Sequence, residues 1–267
     1  MSTNIKKLYP NLKYLDQEKS LIVDYQFGKL IKDKYFIMNL VQVYNEAPNL
    51  KKYFESALRL ADGIIILDDG SKDNTWNHID DFDYTLKIKI RRDSDKFNDL
   101  RNRNLLLDAL QNIFLDNKIS IDWVIWLDCD EIIGNTDKEL LAIKEKLKKE
   151  ENEILNIAFY HMWNEYQYNG EYPFSARGVV YHQRLFKNNP QKRPYRIISN
   201  VVLHFTLEPY ETKKKGNIPI KIKHYGMSTK EKRMAKYLNY TTKYDTTKIQ
   251  QSYEHIIKEK PRLYTFR

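Results

Sequence analysis

The chain has 267 residues, 42% of them hydrophobic and 13% aromatic, enough to bury a substantial core and too apolar for a disordered polymer. One cysteine, Cys129, excludes an intrachain disulfide framework, and no stretch reaches the roughly 18 apolar residues of a membrane span. The polar stretch from Met1 to Pro10 lacks the apolar segment of a secretory leader, so a cytoplasmic protein is expected. The net charge of +9 is unevenly spread. Residues 1–140 carry 20 Lys+Arg against 24 Asp+Glu, and residues 141–267 carry 25 against 12. A basic half of this kind suits nucleic acid, an anionic membrane surface or a phosphorylated substrate.

Residues 1–34 form a polar extension with short apolar pieces such as Leu21-Ile22-Val23. Phe36 to Tyr44 is an apolar, β-branched run that predicts a buried strand. Leu50, Tyr53, Phe54, Ala57, Leu58 and Ala61 recur at helical spacing, with Gly63 placed as a C-terminal cap. Ile64 to Leu67 predicts a second buried strand. In Thr85–Ile90, Leu86, Ile88 and Ile90 alternate with Thr85, Lys87 and Lys89, which predicts a half-exposed strand. Leu100 to Leu115 has a helical pattern, and Trp123 to Leu127 is a further short strand.

This alternation argues a parallel sheet flanked by helices. From Ile154 onward, strands are expected at Ile154–Tyr160, Val179–Phe186 and Tyr195–Phe205 and around Ile218, Ile220 and Ile222. A helix follows, with Ser228 and Glu231 in capping-box spacing and Met234, Tyr237 and Leu238 on one face.

Ligands of open parallel sheets bind at the carboxyl ends of the strands. Three predicted strands end in acids: Glu46, then Asp68 and Asp69, then Asp128, Asp130 and Glu131. Six carboxylates on one edge repel one another unless a cation joins them. Asp128 and Asp130 are two residues apart, so in an extended segment both face one hard divalent ion. His224 shares strand parity with Ile218, Ile220 and Ile222 and points inward at a strand end, either as a core histidine or as a third ligand. His204 is a weaker rival.

Val43-Tyr44-Asn45-Glu46, Leu67-Asp68-Asp69-Gly70-Ser71-Lys72-Asp73-Asn74-Thr75, Arg103-Asn104 and Leu127-Asp128-Cys129-Asp130-Glu131 together resemble the family 2 glycosyltransferases of GT-A fold. The likeness covers residues 35–135 most fully. It continues more loosely through Arg184 to Asn188 and His224-Tyr225-Gly226, as in the bacterial-type subgroup with an LDxDE motif.

The resemblance implies an α/β GT-A fold with a mostly parallel central sheet and a less regular acceptor-side half. On that reading 1–34 is an extension, 35–227 the catalytic domain (35–135 nucleotide-sugar part, 136–227 acceptor part) and 228–267 a helical tail. It further implies inverting transfer of a hexosyl group from a UDP- or GDP-type sugar to a glycan or glycolipid. Gln42, Tyr44, Glu46, Asp68, Asp69 and Arg103 fall at the donor nucleotide, while Asp128, Asp130 and His224 fall at Mn²⁺ or Mg²⁺. Glu131, Glu165 and Glu171 are candidates for the base.

The basic half suggests an anionic acceptor and peripheral membrane contact; acids at the donor edge repel phosphate, so nucleic acid is not an expected partner. A nucleotidyltransferase is one alternative, although Asn45-Glu46-Ala47-Pro48 lacks the glycines of a triphosphate-binding loop. An inactive polyanion-binding protein on the same fold is the other.

Overall fold

The computed structural model describes residues 21–92, 97–111, 119–172, 175–189, 191–192, 195–199, 206–243 and 253–266. The chain divides into two compact units. The first comprises residues 1–129, 145–156 and 183–217, and the second 130–144, 157–182 and 218–267.

In the first unit, β2 (Lys34–Val43), β3 (Gly63–Asp68), β4 (Leu86–Ile90) and β5 (Ser120–Trp126) lie in the order β4-β3-β2-β5 and run parallel. These are the apolar runs read from the sequence. They are buried on both faces: every residue of β3 is buried, as are Met38, Leu40, Ile88, Val124 and Trp126. The connections carry α1 (Leu50–Ala57), α2 (Thr75–His78) and α3 (Asp99–Ala109). Asn98 caps α3 by accepting the Arg101 backbone N–H at 2.9 Å. Leu105, Leu106 and Leu107 of α3 enter the same core as Phe186, Tyr195 and Tyr210.

Antiparallel strands flank the parallel four. β1 (Ile22–Phe27) pairs with β4, and the C-terminal half of β9 (Val179–Lys187) pairs with β5. β1 arises from the polar extension. A bulge between Ile22 and Asp24 breaks its alternation, which hides it from a periodicity reading.

Four further expectations change. Gly63 begins β3 and does not cap a helix; a Cβ there would lie 2.6 Å from Thr85 Oγ1 and 2.7 Å from the Tyr35 ring, so close backbone approach is what requires glycine. Lys87 and Thr85 are fully buried, because the Lys87 ammonium bonds Asp80 at 2.7 Å and lies 4.0 Å from the centre of the Trp76 ring. Residues 195–199 form no strand, held instead by backbone and side-chain bonds such as Asn104 Nδ2 to the Ile197 carbonyl; 200–205 lie outside the described residues. The predicted helix over 100–115 ends its regular α segment at Ala109, and 112–118 lie outside the described residues.

In the second unit, β6 (Glu131–Ile133) pairs antiparallel with the end of β10 (Lys215–His224), and the Met162 N–H after β7 (Ile154–His161) donates to the His224 carbonyl at 2.9 Å. β8 (Gln167–Asn169) pairs with β11 (Leu263–Thr265), so the C-terminal stretch contributes a strand besides α5 (Lys230–Lys243). Helix α4 (Asp137–Leu147) opens on a reciprocal cap between Thr136 and Glu139. At α5 the cap falls one residue later than the spacing predicts. Thr229 Oγ1 accepts the Lys232 N–H at 3.2 Å, while Ser228 donates to the Tyr225 carbonyl. The expected apolar face is split, for Tyr237 packs against Met227 and Ile256 while Met234 and Leu238 are exposed.

Candidate active site

Two loops of the first unit are stitched together at the ends of β2 and β3. The register places Val43 beside Asp68. Asn45 adopts a left-handed conformation (φ 55°) and accepts the Lys72 N–H at 2.8 Å through its side chain. Its own N–H donates to Ser71 Oγ, the Glu46 N–H to Thr75 Oγ1, and the Thr75 N–H to Asp73. Asn45, Ser71, Asp73 and Thr75 thus shape the motif. Partners 26–29 residues apart in the chain gave the sequence reading no signal for these roles.

That stitching presents a row of polar groups. Asp68 is buried and accepts the Ser71 N–H at 2.7 Å, and its second oxygen is buried without a hydrogen-bond partner among the described residues. Gln42 donates to Asp99, and its amide oxygen is likewise buried and unpartnered. Asp69 is buried, 2.7 Å from Arg101 and 3.8 Å from Arg92, whose guanidinium covers the Tyr44 ring at 3.9 Å. Burial raises the Asp68 carboxyl above its ordinary range against the Ser71 hydrogen bonds and the Lys89 charge. Burial also raises Asp69, against Arg101 and Arg92. Glu46 accepts from the Asn49 side chain at 2.5 Å.

Arg103, expected at the donor nucleotide, is 3% exposed. Its guanidinium holds Asp99 at 2.8 Å and Asp128 at 2.8 and 3.1 Å. Arg184 approaches Asp128 at 3.5 Å. Asp128 is therefore bound up with two guanidiniums.

The second unit holds a separate group. The β6–β10 register sets His224 opposite Glu131, and the Tyr225 N–H donates to the Asp130 carbonyl at 2.8 Å. These backbone bonds bring one ligand atom each of Asp130, Glu131 and His224 within 4.8 Å of one another. Asp128 is not in that group. His224 Nε2 stands 3.3 Å from Asp130 Oδ2, and its Nδ1 meets His161 Nδ1 at 2.9 Å. Burial tends to raise the Asp130 carboxyl, but the His224 ring, Lys236 and Lys232 outweigh it and hold the group well below the usual carboxylate range. Burial, reinforced by the neighbouring His224, Lys236, His182 and His255, pushes the His161 ring well below the imidazole range, and Tyr172 stacks on it at 3.7 Å.

Two carboxylates and an imidazole suit a hard to borderline divalent ion. A Cβ added to Gly226 would lie 2.6 Å from Asp130 Oδ2 and 2.7 Å from His224 Nε2, so the glycine keeps the approach to both ligand atoms open. The donor set fits Mn²⁺ or Mg²⁺.

The other base candidates lie elsewhere in the second unit. Glu165 is exposed, and its carbonyl accepts the Tyr225 hydroxyl at 3.4 Å. Glu171 is exposed and paired with Lys258 at 2.7 Å, whose hydrogen bond holds its carboxyl below the ordinary value. His204 lies outside the described residues.

Residues 40–210 match the family model described as Glycosyl transferase family 2. The chain belongs to that family. This glycosyltransferase accordingly has the α/β GT-A fold expected from its motifs, and the family sets aside the nucleotidyltransferase and inactive-binder readings.

Among solved structures, residues 1–349 of TarS from S. aureus superpose with a TM-score of 0.49 at 11% identity, covering 83% of this chain and 69% of that one. The same fragment in complex with UDP gives 0.46 at 13% identity with the same coverage. Mannosyltransferase PcManGT from Pyrobaculum calidifontis, in complex with GDP-Man and Mn²⁺, gives 0.33 at 14% identity, covering 60% of this chain and 45% of that one. A search of curated proteins finds no significant match.

Proposed function

We propose that this glycosyltransferase transfers a hexosyl group with inversion from a UDP- or GDP-sugar, using a divalent cation held by Asp130, Glu131 and His224. The convergence of those three side chains is the observation that carries the reading. A cation bound there neutralises charge developing on the leaving diphosphate. Asp68 and Gln42 each carry a buried acceptor oxygen awaiting a donor, and an unmet buried acceptor costs about 1–3 kcal/mol. Hydroxyl and N–H groups of the ribose and base supply such donors. Tyr44, Glu46 and Asp69 complete the nucleotide contact, with Arg103 fixing the position of Asp128.

Glu165 is the proposed base. Its loop is tied by the Tyr225 hydroxyl to the strand end that bears His224, whereas Glu171 is committed to Lys258 and Glu131 to the cation group. The acceptor hydroxyl gives its proton to Glu165 as its oxygen bonds the anomeric carbon, and the bond to the diphosphate oxygen breaks with its electron pair leaving on the nucleotide.

The basic excess of residues 141–267 supports an anionic glycan or glycolipid acceptor reached at the anionic cytoplasmic leaflet. Among the described residues no helix is long and apolar enough to cross a membrane, so contact with lipid on this reading is peripheral.

The test is incubation with Mn²⁺ and a panel of UDP- and GDP-sugars, reading released nucleoside diphosphate. Release from one donor class, lost in EDTA and restored by Mn²⁺, is the expected outcome. No release from any donor, or undiminished release in EDTA, contradicts the reading.

A further inference from the structure

The basic helix α5 brings Lys236 to the cation group. Asp130 Oδ2, His224 Nε2 and Lys236 Nζ all lie within 3.2 Å of the single point where a Cβ on Gly226 would stand. An ammonium, a carboxylate and an imidazole therefore converge on space that only the absence of a side chain leaves open. The helix is fixed where it presents this lysine. Arg233 donates to the Met227 carbonyl at 2.9 Å and the Trp163 carbonyl at 3.2 Å, and its guanidinium covers the Trp163 ring at 3.7 Å. Tyr237, the next residue after Lys236, packs against Met227 and Ile256.

A cation site with a lysine at its rim is poorly arranged for a metal alone, because the two positive charges repel. It is well arranged for a metal and a multiply charged anion together. A diphosphate gives one set of oxygens to the ion and another to the ammonium, and lysine serves phosphate well as a compact point charge.

We propose that Lys236 contacts the donor diphosphate directly, and that its charge makes cation and diphosphate bind as a cooperative pair. The proposal rests on the nucleotide-sugar reading above, though it concerns only the phosphate end of that donor.

A lysine that merely neutralises Asp130 and one that binds phosphate differ in sign. Calorimetry on wild type, Lys236→Gln and Lys236→Arg, with Mn²⁺ alone and then with UDP, GDP or inorganic pyrophosphate in the presence of Mn²⁺, separates them. In Lys236→Gln, Mn²⁺ alone is expected to bind as tightly as in wild type or several-fold tighter. The diphosphate is expected to bind about 10- to 100-fold more weakly, the loss of a charge-assisted hydrogen bond. Lys236→Arg keeps the charge and should retain most of the coupling between the two ligands.

Unchanged nucleotide affinity in Lys236→Gln, or weakened Mn²⁺ binding with no further loss of diphosphate, overturns the proposal and leaves the donor reading standing. Lys236-dependent binding of pyrophosphate without binding of UDP or GDP does the reverse. Failure of the wild type to bind any of the three with Mn²⁺ overturns both.

Discussion

Asp130→Ala should lower sugar transfer by roughly a thousandfold, about 4 kcal/mol of transition-state stabilisation, while the protein stays folded. Asp130 belongs to the cation group with Glu131 and His224, and its carboxylate is 3.3 Å from His224 Nε2. The side chain is partly exposed, so its loss removes a ligand and no core volume. What remains is one histidine and one glutamate, with the Lys236 ammonium close to His224, a set with too little negative charge to hold a hard divalent ion. Turnover with the donor found in the panel, read alongside a thermal melt, decides it. Activity within tenfold of wild type shows that Asp130 does not hold the cation.

Arg103→Ala should act on stability, by about 3–5 kcal/mol, the cost of breaking a buried ion pair from one side. The Arg103 side chain is 4% exposed and spans Asp99 on its own helix and Asp128 at the end of β5, with the Trp126 ring 5.2 Å away. Truncation removes the closer of the two guanidiniums from Asp128, with Arg184 at 3.5 Å, and strips Asp99 of its guanidinium. Lysine at this position should recover only part of the loss, because it cannot bond both carboxylates in a fork. Chemical denaturation of the three proteins measures this. An unchanged midpoint in Arg103→Ala means that the two carboxylates do not depend on it.

Much of the fold was legible because its strands are apolar runs ended by acids. Burial on both sheet faces produces such runs, and turn residues at strand ends produce the acids. Lys87 was misread for a physical reason. Alternation assigns a lysine to solvent, and only the tertiary fold brings Asp80 and Trp76 to neutralise and cover it. β1 escaped because a bulge spoils the period-2 signal in a six-residue strand.

In the site, Asp130 and His224 were visible from motif spacing and strand parity. The grouping of Glu131 with them depends on the β6–β10 register, which no local pattern encodes. Asp128 reads as the equal of Asp130 in the motif, yet Arg103 and Arg184 engage it from 25 and 56 residues away in the chain. Lys236 looked like one lysine among many until Gly226 marked the point on which it converges with Asp130 and His224.

The proposed chemistry depends on a divalent cation bound at Asp130, Glu131 and His224. Pulsed electron paramagnetic resonance of the Mn²⁺-loaded protein with UDP tests it most directly, because a coordinated imidazole nitrogen couples to the Mn²⁺ electron spin. A directly bound nitrogen in the wild type that disappears in His224→Ala is the expected result. A wild-type spectrum without nitrogen coupling, or a coupling that survives in His224→Ala, contradicts it.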